Sequence, residues 1–281
     1  MDKAASEIRS LISLIDDEDD AVFTAARDRL LSYKEKALEF LPFREERASL
    51  ADRRLAEVRE VLLRSSFKEQ FRQLKKDGSG NIDLEDGLFL IARYRYNDLD
   101  VQPYSEMLNR FAAELKEHLS SITDETELLR RIIAFFTVDK GFAGTTGEYY
   151  SEENHYLNRV LDTRTGIPLS LSVVYLLVGQ RIDLPIRGIG LPGHFVLRLS
   201  FGASHVYFDP FNGGKLLTVQ DCAAIVTGLG FEFSDDYLVP VTTKQILERV
   251  LRNIILSLEK KGETDRIESV RQFIDTLNSD L

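Results

Sequence analysis

The residues that first invite a chemical reading are His194 and Asp209, at the two ends of the stretch GHFVLRLSFGASHVYFDPF. An imidazole oriented by a carboxylate is the half of a catalytic triad that activates a nucleophile. The stretch itself says whether the two can meet. Gly202-Ala203 suits a two-residue hairpin loop, with Gly at the first central place as a type II′ turn wants. Phe201 then faces Ser204, Leu199 faces Val206 and Leu197 faces Phe208. With Phe195, these last four make an apolar face. The other face carries His194, Val196, Arg198, Ser200, His205, Tyr207 and Asp209. A slip of one residue would mix the faces, so the alternation specifies the register. It places His194 diagonal to Asp209, within reach of long side chains. A purely structural His–Asp hydrogen bond would satisfy the same pattern.

The nucleophile must come from elsewhere. In GIPLSLSVVYLLVGQ, Leu169 to Val178 is apolar on nearly every side, which predicts a helix buried all round. Pro168 fits its first position, where a missing N–H costs nothing. Ser170 lies about 200° around the helix from Pro168, whereas Ser172 lies about 40° away and about 6 Å deeper. Ser172 is therefore the candidate nucleophile on that face, although a serine in a buried helix more often bonds the preceding turn. Cys222 falls in a predicted helix beyond the hairpin and reads as a buried, inert thiol.

Other motifs do not carry chemistry. GIGLPG spells G-x-G-x-x-G, but a Pro interrupts it and a strand comes next, where a dinucleotide site needs a helix. NGGK lacks the spacing of a phosphate loop. The run from Asp77 mimics a calcium loop, but Ile82 and Leu88 occupy the places that need Gly and Glu. With a single cysteine, neither an intramolecular disulfide nor a cysteine-based zinc site is available. The four histidines show no H-x-x-x-H spacing, so no metal and no cofactor is expected.

A net charge of −10 disfavours a nucleic-acid partner. No stretch has the roughly 20 apolar residues that span a bilayer, so no membrane partner is expected. The acidic N-terminus does not read as a signal peptide, and the expectation is a cytoplasmic protein.

The surrounding elements divide the chain into three expected domains. Residues 1–76 carry helical periodicity, with Ile8, Leu11, Ile12 and Ile15 in one stripe, and resemble a HEAT-type helical hairpin. The acid run Asp16 to Asp20 suits the N-terminus of a second helix. KKDGSGNID, at 75–83, marks a boundary. Residues 77–240 hold the buried helix and the hairpin. Residues 241–281 give a helix, a Gly-Glu turn and a helix, resembling a tetratricopeptide-like hairpin.

The stretches YLNRVLDTRTGIPLSLSVVYLL, LPGHFVLRL and YFDPFNGG, with LEDGLFLIARYRYNDLDV, resemble the transglutaminase-like superfamily, and within it the SirB-type branch shared with F-box-only relatives. The resemblance covers residues 80 to 240. It implies an α+β fold with a transglutaminase/papain-like core, a buried helix against a small antiparallel sheet, flanked by helical hairpins. Enzymes of the superfamily use Cys-His-Asp, with the Cys at the N-terminus of the buried helix, and His194 and Asp209 fall on the His and Asp positions. The Cys position is occupied by Pro168. The resemblance therefore implies a non-catalytic interaction or regulatory module, binding a protein partner through the cleft or the helical hairpins. Asn158 and Arg164 are candidate cleft-lining residues. The alternative is an amide hydrolase or acyl transferase that uses Ser172, or an activated water, with His194 and Asp209.

Overall fold

The structure, a computed structural model, describes residues 3–41, 49–74 and 82–279. The expected boundary at 75–83 lies almost wholly outside the described residues, as do Asp77, Ser79 and Asn81. The chain divides into two compact units between Gln73 and Leu74.

The first unit holds α1 (Lys3–Leu14), α2 (Asp20–Ser32), α3 (Glu35–Leu38) and α4 (Leu50–Leu74). The apolar stripe seen in the sequence does the packing. Ile8, Ile15, Ala26, Leu30, Val58 and Leu62 form one buried cluster, with Leu11 and Ile12 against it. The acid run ends as its spacing suggests: Asp19 caps α2 by accepting from the Ala21 N–H. Asp20 pairs with Arg54 of α4 at 2.8 Å.

The second unit begins with α5 (Leu84–Arg95), α6 (Gln102–Leu119) and α7 (Glu125–Ala134), the last running into a π-turn. A two-residue strand β1 (Ala143–Gly144) comes next, then a 3-10 turn, Glu152–His155, and α8 (Leu157–Thr163). β2 (Thr165–Gly166) pairs with β1 in parallel. Beyond it lie α9 (Pro168–Arg181), β3 (Ile186–Ile189), β4 (Val196–Phe201), β5 (Ser204–Asp209) and β6 (Lys215–Leu217). These four strands form an antiparallel sheet in sequence order. The chain closes with α10 (Val219–Gly228), α11 (Thr243–Lys261) and α12 (Thr264–Asn278). This is an α+β unit whose core is α9.

Every residue of α9 from Pro168 to Gly179 is buried. A helix apolar all round can only sit inside, and here it packs on the sheet on one side and on α6 and α8 elsewhere. Tyr175 stacks on Phe136 of the π-turn and touches Phe208 of β5. The C-terminal hairpin belongs to this same unit. Glu152, buried in the 3-10 turn, accepts from Arg95 of α5 at 3.1 Å and pairs with Arg266 of α12 at 2.8 Å. Edge-on packing of Tyr94 against Phe273 adds an apolar seam between the same two helices.

The hairpin has the register that alternation dictates: Phe201 opposite Ser204, Leu199 opposite Val206, Leu197 opposite Phe208. Gly202 takes the left-handed conformation that its turn requires, at φ +57°. The reading of the second face needs correction. Val196, Tyr207 and Asp209 on it are buried, because Val196 and Tyr207 offer enough apolar surface to hold α10 there through Cys222 and Val226. Only its far end, at His205, is exposed.

Candidate functional site

His194 sits at the end of a short loop entering β4, and three local features hold that loop. Gly193 turns the chain at φ +69°. The His194 N–H donates to the Leu191 carbonyl at 3.1 Å. From α11, Arg249 donates Nη2 to the carbonyls of both Leu191, at 2.8 Å, and His194, at 2.6 Å. The Arg249 guanidinium lies over the Phe195 ring, and burial lowers its pKa.

Asp209 ends β5 and starts the 3-10 turn Pro210–Asn212. Its sequence explains this: Asp before Pro is a capping residue before one preset for the first helical position. Oδ1 accepts from the backbone N–H groups of Phe211, at 3.0 Å, and Asn212, at 3.3 Å. Oδ2 accepts from Asn212 Nδ2 and from His194 Nε2, each at 2.7 Å. Burial on its own would raise the carboxyl pKa. The hydrogen bond and charge of His194, with the bonds from Asn212, outweigh it and bring the pKa below the ordinary value.

An ionised carboxylate only accepts, so Nε2 carries the ring proton. In the neutral form of the imidazole the lone pair would then lie on Nδ1, which bonds no protein group among the described residues. That nitrogen is the one available to act as a base.

The start of α9 reaches this corner through two close approaches. Gly144 of β1 pairs with Gly166, two residues before Pro168. A Cβ on Gly144 would meet the Phe211 carbonyl at 2.6 Å, so only glycine lets the strands approach the turn. The Phe211 ring in turn packs edge-on to His194, with ring centroids 6.4 Å apart. Pro168 occupies the first turn of α9 and is buried. It carries no hydroxyl, thiol or amine.

The two serines of α9 have different surroundings. Ser170 Oγ, in the first turn of α9, reaches back and accepts from the N–H of Ile167, the residue before the helix, at 3.0 Å. Ser172 is completely buried and its Oγ has no hydrogen-bond partner. It makes no bond to His194. Cys222 is buried as well, and burial first, then the Asp221 and Asp209 charges, push its thiol up to about 11. A thiol so protonated is not a nucleophile at neutral pH.

Neither candidate cleft-lining residue meets the dyad. Asn158 is buried in α8, with Oδ1 unpartnered. Arg164 caps α8 in the left-handed conformation and lies over the rings of Phe111 and Phe142. Among the described residues, no group of three or more His, Cys, Asp or Glu side chains could hold a metal. A groove of about 610 Å³ lies toward the C-terminal end of α9, lined by Leu176, Gln180, Arg187 and Thr242 among others, and no dyad residue lines it.

Sequence reasoning misses Asn212 and Arg249. Asn212 is legible in principle, since Asp-Pro-x-Asn is a turn whose last residue can reach back to the carboxylate. Arg249 has no local signal, because it lies 55 residues from His194.

Among known proteins, this chain is similar to a UPF0162 protein of Xylella fastidiosa, 34% identical over 171 residues, 59% of this chain and 61% of that relative. It is also similar to F-box only protein 21 of Mus musculus, 31% identical over 48% of this chain and 22% of that protein. Protein SirB1 of Salmonella typhimurium is 27% identical over 72% of this chain and 67% of its own. The chain thus spans about three fifths of the Xylella relative's length. No solved structure matches. Residues 102–252, more than half of the chain, match the transglutaminase-like superfamily and enclose α9, the four-stranded sheet and both members of the dyad, so the chain belongs to that superfamily.

Proposed function

We propose that this chain is a SirB-type, transglutaminase-like protein that does no thiol chemistry and uses the corner around His194 and Asp209 to bind a protein partner. One observation carries the reading. The first turn of the buried helix, where the superfamily's enzymes place their cysteine, holds Pro168. Proline supplies neither a nucleophile nor the backbone N–H that would help to hold an oxyanion. Ser172 is a poor substitute, because its Oγ is sealed inside the core.

A second reading has its own support. His194 Nδ1 is oriented by Asp209 and unbonded by protein, so it could draw a proton from a water and make the chain a hydrolase. Covalent labelling separates acyl-enzyme chemistry from binding. The intact protein is treated with a fluorophosphonate and, separately, with iodoacetamide at neutral pH, and labelled peptides are mapped. The binding reading expects no label at any residue around the dyad. Label on Ser172 that vanishes in His194→Ala would overturn it. Turnover of an amide or ester substrate that likewise depends on His194 would instead establish the water-activating reading.

A further inference from the structure

We propose that the segment 229–239, beside the dyad, is a docking rim for an extended polypeptide segment that combines apolar with basic residues. The inference rests on the reading of this chain as a binding protein and names the chemistry of its partner.

Three apolar side chains stand out of this segment: Leu229 is 53% exposed, Phe231 51% and Val239 62%. Leu229 lies directly against the dyad loop, since a Cβ on Gly193 would meet its Cδ1 at 2.6 Å. The rim therefore starts one residue from His194. Its backbone is anchored: the N–H groups of Leu229 and Phe231 both donate to the Val226 carbonyl, each at 3.2 Å. Beneath it, Phe233, Tyr237 and Leu238 pack onto the cluster of Leu191, Val196 and Val226. The segment has thus buried some of its apolar residues in the fold and left others outside on a fixed base. Apolar groups presented on a fixed base beside a cleft are what a partner's side chains can cover.

The charge on the rim selects the partner. Glu232, Asp235 and Asp236 are exposed, and none forms an ion pair among the described residues. Residues 229–239 contain no Lys or Arg. A ligand laid along this segment meets apolar side chains interspersed with carboxylates of one sign, which fits apolar residues interspersed with Lys or Arg. Nucleic acid and an anionic lipid surface would be repelled by the same three acids.

The test is selection from a phage-displayed library of random nonapeptides on the full chain, and then fluorescence anisotropy with a synthetic peptide of the selected composition. The expected peptides are rich in Lys or Arg together with Leu, Ile or Phe. Their Kd should rise about tenfold or more in the double variant Leu229→Ser, Phe231→Ser, the loss typical of anchor residues at an interface. Because both residues are exposed, that variant should keep the parent circular dichroism spectrum and melting temperature. The triple variant Glu232→Lys, Asp235→Lys, Asp236→Lys should lose basic peptides and select acidic ones. Recovery of no peptides, of peptides without basic enrichment, or of peptides that bind both variants undiminished would overturn the rim. In the last case the binding reading survives at another surface, whereas His194-dependent labelling would sink that reading without altering the rim's selectivity.

Discussion

Acid should loosen the second unit at a histidine that lies outside the dyad. His155 ends the 3-10 turn before α8, is buried, and bonds Ser257 of α11 through Nε2 at 2.7 Å. Its Nδ1 has no partner, and burial lowers its pKa from 6.5 to about 4. The unfolded chain therefore takes up a proton at this residue near pH 6.5, and the folded one only near pH 4. Between those values the unfolded state holds more protons, so stability present at neutral pH is lost as the pH falls. Two proton-binding curves with these midpoints give a loss of about 2 kcal/mol between pH 7.5 and 5, rising toward about 3 kcal/mol at pH 4. With two units in the chain, a single denaturation curve need not report on this one. Amide hydrogen exchange of the 243–261 segment, read by mass spectrometry, reports the opening free energy of α11 directly. The control is His155→Gln, which keeps a donor for Ser257 and cannot titrate in this range. The wild type should lose about 2 kcal/mol more than the variant from pH 7.5 to 5. If the two proteins lose protection in parallel, His155 is not held neutral by burial and the reasoning fails.

Four other perturbations test the geometry. In a Cys222→Ala background, Pro168→Cys should give a thiol that iodoacetamide alkylates with a pKa below the free value of about 8.5, and His194→Ala should move it back. An unshifted profile would mean that the first turn of α9 does not face His194. Arg249→Met should strip two part-buried carbonyls of their charged donor and cost about 2 to 4 kcal/mol, with the His194 ring resonances broadened in NMR spectra; sharp, unmoved resonances would count against a positioning role. Leu197→Ala, Phe208→Ala and Tyr207→Ala should each cost about 2 to 5 kcal/mol in thermal or urea unfolding, with Ser200→Ala costing far less; a mild Tyr207→Ala would contradict the seat of α10. Asp209→Asn should destabilise more than His194→Ala in melting experiments, because Asp209 holds the Pro210–Asn212 turn as well as the imidazole; the reverse order would show that His194 is part of the scaffold.

How far the sequence can be read depends on how local the cause is. The hairpin register is legible because alternation and one glycine fix it, and a slip by one residue would turn Phe208 outward. The burial of α9 is legible because nothing polar interrupts Leu171 to Val178 except Ser172 and Tyr175, neither of which forms a bond that would hold it at a surface. The second face of the hairpin misleads because it reads as polar by composition. Two members, Val196 and Tyr207, suffice to recruit α10, and recruitment depends on the downstream segment rather than on the strand itself. Arg249 escapes for the same reason. Its partners are backbone carbonyls, which leave no trace in a side-chain pattern. Asn158 and Arg164 suggest a cleft by their sequence proximity to α9, but the left-handed turn at Arg164 carries its guanidinium instead to the aromatic pair of Phe111 and Phe142.

The corner around the dyad can be divided by what each residue does for the fold. Pro168 starts α9 with a preset φ, and Ser170 bonds back to the Ile167 N–H, so the start of the helix is held without a nucleophile. Asp209 accepts two backbone N–H groups and one side-chain amide besides the imidazole, so the turn between β5 and β6 would need it even if His194 were absent. Arg249 ties the dyad loop to α11 through carbonyls, whatever side chain stands after Gly193. His194 is different, because the one side-chain hydrogen bond it makes among the described residues is to Asp209, and it is 13% exposed at the side chain. It contributes little to the scaffold, yet a buried carboxylate holds its ring in one orientation and leaves its second nitrogen without a protein partner among the described residues. Of the side chains at this corner, His194 is therefore the one the scaffold could lose most cheaply, while Asp209 and Arg249 hold it in place.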